Sequence, residues 1–164
     1  MVTNIHSREY QVSAARLGEL MDALGTTEDR LWPHHRWPAM RFDSPDGPLG
    51  PGAAGGHGPI RYVVESFDPG LAVRFRFTAP KGFIGWHGFD IEAISEGRSR
   101  LRHTIRADVK GAMRLTWPLA LRWLHDACVE DALDNAARAL GEPLPQRRHS
   151  LAVRILRRLG RRAR

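Results

Sequence analysis

Apolar and polar residues alternate through four consecutive segments in the middle of the chain, Ile60 to Ser66, Leu71 to Thr78, Phe83 to Ile94 and Ser99 to Val109. A period of two marks half-buried strands, and Asp68-Pro69-Gly70, Pro80-Lys81-Gly82 and Ser95-Glu96-Gly97 supply turns between them. The period then lengthens. From Met113 to Leu140, Leu121, Leu124, Cys128, Val129, Ala132, Leu133, Ala136 and Leu140 gather on one helical face, with Asp126, Glu130 and Asp134 opposite. This helix is expected to begin near Trp117-Pro118, because proline is tolerated in a first turn. Gly141, Pro143 and Pro145 end it. A curved antiparallel meander followed by one long amphipathic helix predicts an α+β fold whose sheet wraps the helix and leaves a cup for a small molecule.

Upstream, Ile5 to Val12 reads as a first strand with His6, Arg8, Tyr10 and Val12 on one side. Ala14 to Leu24 then carries Leu17, Leu20, Met21 and Leu24 at helical spacing, with Ser13 as cap and Gly25 as stop. A second short helical turn is expected from Thr27, closed by Trp32-Pro33 and Trp37-Pro38. Met40 to Asp43 predicts a short strand, and Ser44 to Gly58 a glycine- and proline-rich connection with little regular structure. That connection lacks the lysine and following helix of a phosphate-binding loop. The expected architecture is therefore a sheet of six or seven strands, with one or two short helices after the first strand.

With 164 residues the chain accommodates one domain, residues 1–141, and a tail, residues 142–164. Charge sharpens that division. The net charge is +7, yet Arg147 to Arg164 holds eight arginines and no acid, so the preceding residues carry 17 basic against 18 acidic groups. Only the tail invites an argument from charge to partner. Leu151, Ile155 and Leu159 recur every four residues there, joined by Ala152 and Leu156, as in helices that lie on acidic membranes. A disordered basic extension is the alternative reading. The apolar ridge sets acidic lipid ahead of nucleic acid, which is disfavoured. The only cysteine, Cys128, excludes an intramolecular disulfide, and no secretory or membrane-spanning pattern is present. A cytoplasmic protein, or one peripheral at a membrane through its tail, is expected. Oligomeric state is not encoded in any recognisable pattern.

Pairing the strands through their turns names the face that lines the cup. The first hairpin predicts Val64 opposite Val73, Tyr62 opposite Phe75 and Ile60 opposite Phe77, leaving Arg61, Arg74 and Arg76 outside. The last hairpin predicts Ile91 opposite Leu101, Phe89 opposite His103 and His87 opposite Ile105. His87 and His103 thus become diagonal neighbours on the apolar face, and His125 falls near the centre of the helical stripe. Three imidazoles aimed at one cavity are able to bind a metal, act as general acid and base, or orient a polar ligand group. Their spacing matches no metal-ligand motif, and no metal or other cofactor is expected. A structural or ligand-orienting role is favoured. The expected ligand-binding set is Tyr62, Val73, Phe75, Phe89, Ile105, Leu124 and Cys128 as apolar walls and His87, His103 and His125 as polar contacts. Trp32 and Trp37 join them as a lid over the ligand or as a plug at the end of the core. No nucleophile elbow, catalytic carboxylate pair or nucleotide fingerprint appears, so no catalytic residue is assigned.

Asp29-Arg30-Leu31-Trp32-Pro33 with Trp37-Pro38, the run Gly55-Gly56-His57-Gly58-Pro59-Ile60-Arg61-Tyr62, Val73-Arg74-Phe75-Arg76-Phe77 and Leu115-Thr116-Trp117-Pro118 stand at the corresponding places of one architecture. In this the chain resembles the START-like, polyketide cyclase/dehydrase and lipid-transport superfamily, SRPBCC, and specifically an actinobacterial branch of it. The resemblance covers about residues 3–141. It implies a helix-grip fold with a hydrophobic pocket between the sheet and the last helix, used for lipids, hormones and polyketides and in some branches for cyclisation or dehydration. It supplies no universal catalytic motif. The expectation is a domain that binds or carries a lipid-like or polyketide-like molecule, with a cyclase or dehydratase using a pocket histidine as the alternative.

Overall fold

The computed structural model describes residues 1–43, 49–144 and 148–162. Residues 44–48 of the glycine-rich connection, together with residues 145–147 and 163–164 of the linker and tail, lie outside the described residues. One antiparallel sheet contains β1 (Val2–Tyr10), β2 (Arg41–Phe42), β3 (Ala54–His57), β4 (Ile60–Asp68), β5 (Ala72–Ala79), β6 (Phe83–Ser95) and β7 (Arg98–Val109). Its order is β1-β7-β6-β5-β4-β3-β2. The first strand thus closes onto the last, although the whole meander separates them. The helices are α1 (Ala14–Asp22), α2 (Met113–Thr116), α3 (Arg122–Leu140) and α4 (Leu151–Arg162), with a widened helical turn at Trp117–Leu121 joining α2 to α3.

Alternation of buried and exposed residues is clearest on β5. On β5, Val73, Phe75 and Phe77 are inside while Arg74 and Arg76 face out. The register of β6 on β7 sets Ile91 opposite Leu101, Phe89 opposite His103 and His87 opposite Ile105, as the turn at Ser95-Glu96-Gly97 predicts. The register of β4 on β5 differs from the prediction by two residues: Val64 faces Phe75 and Tyr62 faces Phe77. The hairpin closes at Asp68 and Ala72 around three residues, a wider loop than the predicted register implies, and an irregularity between Val64 and Ser66 leaves Glu65 as an extra residue on β4. A shift of two keeps every side chain on its predicted face.

Three other expectations are corrected. Ala54–His57, inside the connection read as irregular, is a strand. Gly55 and Gly56 serve close approach there: a Cβ at Gly55 would overlap the Phe42 ring and one at Gly56 the Ile60 carbonyl. Among the described residues no second short helix follows α1 before β2. Instead the Asp29 carboxylate accepts from the backbone N–H groups of Leu31 (2.9 Å), Trp32 (2.8 Å) and Gly25 (2.9 Å), which holds the segment in turns. The long helix begins at Met113 rather than near Trp117-Pro118, and Pro118 sits inside the widened turn.

α1 is capped by Ser13 as expected, and Gly141 ends α3 with φ 76°. Among the described residues two apolar clusters fill the interior. The larger joins Tyr10, α1, Leu31, Trp32, Tyr62, Phe75, Phe89 and the buried face of α3. The smaller joins Phe77, Phe83, Ile105, Met113 and Trp117. Outside, Arg100 pairs with Glu9 and Glu92, and Arg102 with Asp90. No helix of the described residues is long and apolar enough to cross a membrane.

Candidate functional site

The seam between the two clusters is lined by imidazoles. His87 lies against Phe75 and Tyr62 of one cluster and against Phe77 of the other, with ring centroids 4.6 to 5.0 Å apart. Its Nδ1 is 3.4 Å from Nε2 of His103. His103 continues to His125, at 5.0 Å between centroids, and His125 to His6, at 6.1 Å. The alternation of β6, β7 and β1 and the inward face of α3 therefore align a file of four histidines from the core toward the β1 edge.

Burial holds the inner members neutral. It pushes His87 and His103 well below the ordinary imidazole value, helped by repulsion from neighbouring histidines, and it also lowers His125. His57, enclosed by Trp32 and Tyr62 at centroid distances of 4.6 and 5.9 Å, is lowered to about 3 by the same burial. His6 is the exception. Burial opposes its charge, but hydrogen bonds to Asp126 (3.1 Å) and Glu130 (2.9 Å) raise it to about 9. The acidic side of α3 thus meets β1: Asn4 donates to Asp126 and Arg8 to Glu130 and Asp134.

Several buried polar atoms in the seam have no hydrogen-bond partner, namely Tyr62 Oη, His87 Nε2, His103 Nδ1 and both ring nitrogens of His125. Native interiors satisfy nearly all such groups.

The twelve residues expected at the site divide between these features. Trp32, Tyr62, Val73, Phe75, Phe89 and Cys128 belong to the larger cluster, with Trp37 against it, and Ile105 belongs to the smaller. Leu124 is half-buried. His87, His103 and His125 come together. The Trp32 indole donates to the Pro38 carbonyl at 2.9 Å and sits on His57 within the core. The Trp37 indole points instead toward the tail helix, donating to Asp131 at 2.7 Å beneath the guanidinium of Arg157. Asp131 also accepts from Arg36 and pairs with His149, so one carboxylate gathers the tryptophan segment, α3 and the start of α4. Sequence reasoning missed His6, His57, Asp126 and Asp131. His6 was legible as an inward residue of β1, but its acidic partners lie 120 and more positions away.

No family model and no curated protein matches the chain. Solved structures do. CalU16 from Micromonospora echinospora superposes with a TM-score of 0.58 at 12% identity, over 98% of this chain and 84% of that one. Norcoclaurine synthase from Thalictrum flavum, a point mutant in complex with a transition-state analogue, gives 0.60 at 12% identity, over 85% and 97%. Ara h 8.0201 gives 0.56 at 13% identity, over 86% and 100%.

Proposed function

Starting from the helix-grip fold of the SRPBCC superfamily, which this chain carries, we propose that it binds or transports a hydrophobic small molecule, lipid-like or polyketide-like, between the sheet and α3. The observation that carries this reading is the set of partnerless polar atoms at Tyr62, His87, His103 and His125. Each such atom costs about 1–3 kcal/mol when left unpaired, a cost that a ligand hydroxyl or carbonyl removes. The His87–His103 contact also limits what fits. Whichever ring donates across it, the outer nitrogens present one donor and one acceptor. Because burial keeps both rings neutral, a neutral hydroxyl or carbonyl suits them better than a carboxylate. Apolar walls then supply affinity, at roughly 25 cal/mol per Å² removed from water.

Native mass spectrometry of the purified full chain tests this. An adduct that leaves on denaturation, with a mass matching a neutral oxygenated hydrophobe, supports the reading. A bare protein that also fails to bind a panel of sterols, fatty alcohols and aromatic polyketides overturns it.

A cyclase- or dehydratase-like activity is the second reading, favoured by neutral imidazoles suited to accept a proton beside a carbonyl. His87→Gln and His103→Gln separate the two: binding retained with turnover lost supports the enzyme, and no turnover by the wild-type protein supports the carrier. Association with an acidic membrane rests on α4. Leu151, Ile155 and Leu159 are 68, 47 and 57% exposed, flanked by exposed Arg154 and Arg158, while Val153 turns inward. Liposome co-sedimentation of a Leu151→Ser, Ile155→Ser, Leu159→Ser variant reads this out, and binding equal to wild type ends the idea.

A further inference from the structure

We propose that His6, His125 and Asp126 form a binding site for a first-row divalent cation, zinc foremost, where β1 meets α3. Their donor atoms all lie within 4.8 Å of one another. Asp126 Oδ1 is 3.1 Å from His6 Nε2 and 3.6 Å from His125 Nδ1. Donors around a tetrahedral zinc, at bond lengths near 2.0–2.1 Å, are separated by about 3.3 Å. The two measured separations bracket that edge, so these pairs need to move by only a few tenths of an ångström.

A second observation points to a missing occupant. Both His125 ring nitrogens are buried without a hydrogen-bond partner, and so is Oδ1 of Asn4, whose amide donates to Asp126 at 2.8 Å. Asn4 and His6 both reach Asp126 Oδ1, whereas His125 Nδ1 stands 3.6 Å from the same oxygen, beyond hydrogen-bond distance. A cation between them resolves this.

The outer contacts fit the same role. Glu130 Oε1 is 2.9 Å from His6 Nδ1, the far nitrogen of the imidazole, which is the carboxylate–histidine arrangement that orients a ligand ring toward its metal. Arg8 holds Glu130 at 3.1 Å and Asp134 at 2.6 Å, fixing that carboxylate. Two imidazoles and one carboxylate suit zinc, cobalt, nickel or copper, whereas magnesium and calcium favour all-oxygen shells. The side chains of His6, His125 and Asp126 are 15, 20 and 27% exposed, which places the cluster at the margin of the core. The inference goes beyond the small-molecule reading and stands without it, although His125 faces both.

The test uses the full chain, freed of metal with a chelator, titrated with ZnCl2 alone by calorimetry. The expected result is one equivalent per chain. Long-range imidazole ¹H–¹⁵N spectra of the wild-type protein should move the His6 and His125 ring nitrogens together, a readout that requires no variant. Glu130→Gln is expected to weaken binding about 10–100-fold, as loss of an outer partner does, and His125→Ala, checked for an unchanged melting transition, to abolish it. Absence of stoichiometric binding overturns the proposal. Binding that survives His125→Ala, or that shifts only the exposed His34 and His35 or the tail residue His149, also overturns it.

Discussion

The phenolic hydroxyl of Tyr10 donates to the main-chain carbonyl of Leu133 at 2.9 Å, in the buried interior, and so ties the last residue of the first strand to the middle of the long helix. Residues separated by 123 positions are joined there. Tyr10→Phe keeps the packing and removes the bond. It is expected to lower stability by about 1 kcal/mol, read as a shift in the urea midpoint at constant slope. An unchanged midpoint would show that the helix is held by packing alone.

Phe75 is fully buried and lies against Phe42, Tyr62 and His87 at centroid distances of 5.0 to 5.9 Å. Phe75→Ala is expected to cost about 3–5 kcal/mol, since the ring is lost and a cavity remains. Its neighbour Arg74 lies on the outer face, and Arg74→Ala should change stability by about 0.5 kcal/mol or less. Chemical denaturation of both variants checks the assignment of faces on β5. Similar losses in the two would contradict it.

Asp131 is buried and receives Arg36, the Trp37 indole and His149. Asp131→Ala strips three donors of their acceptor and is expected to destabilise the protein by about 3–5 kcal/mol, as the removal of one partner from a buried ionic cluster does. α4 should loosen at the same time. Trypsin cleavage after Arg154 and Arg158, followed by mass spectrometry under native conditions, should accelerate in the variant. Equal cleavage rates would mean that α4 is held by other contacts.

Stability of the metal-free protein should pass through a maximum near pH 6.5, with two arms of different origin. On the acid side, His57, His87 and His103 bind protons more weakly folded than unfolded because they are buried. Below their ordinary value of 6.5 the unfolded chain takes up more protons, and stability falls as pH drops, for His57 down to about 3. On the alkaline side, His6 faces Asp126, Glu130 and His125, and despite burial its hydrogen bonds to the two acids lift it to about 9. That contribution is fully present below 6.5 and disappears as pH rises to about 9. Melting temperatures from pH 4 to 10 check both arms. His6→Gln should flatten the alkaline arm alone, and an unchanged alkaline arm would remove His6 as its source.

Much of this was legible in the sequence, and the limits have physical causes. The pairing of β6 with β7 was readable because their turn is short and fixes the register of Ile91, Phe89 and His87, which brings His87 beside His103. β4 and β5 slipped by two because the turn closes around three residues, at Asp68 and Ala72, and neither that loop length nor the irregularity near Glu65 leaves a mark in the hydrophobic pattern. Ala54–His57 escaped notice because Gly55 and Gly56, usually turn formers, serve there to let Phe42 and Ile60 come close. The ion pairs of His6 and Arg8 with α3 join opposite ends of the chain, and local spacing carries no trace of them. Asp131 read as one more polar helical residue, since its three partners come from two loops and become neighbours only on folding.

The widened turn at Trp117–Leu121 acts as a phase adjuster for everything that follows it. One residue advances a helix by about 100°, so deleting a single position within this turn would rotate α3 by more than a quarter revolution about its own axis. His125 and Asp126 would swing away from His6 together, and the small apolar residues at 132, 136 and 137 would leave the sheet with them. The bearing of every imidazole and acid on α3 is thus set by one irregular turn, which makes that turn the place where altered spacing would redirect the interior chemistry of this fold without touching a residue of the site.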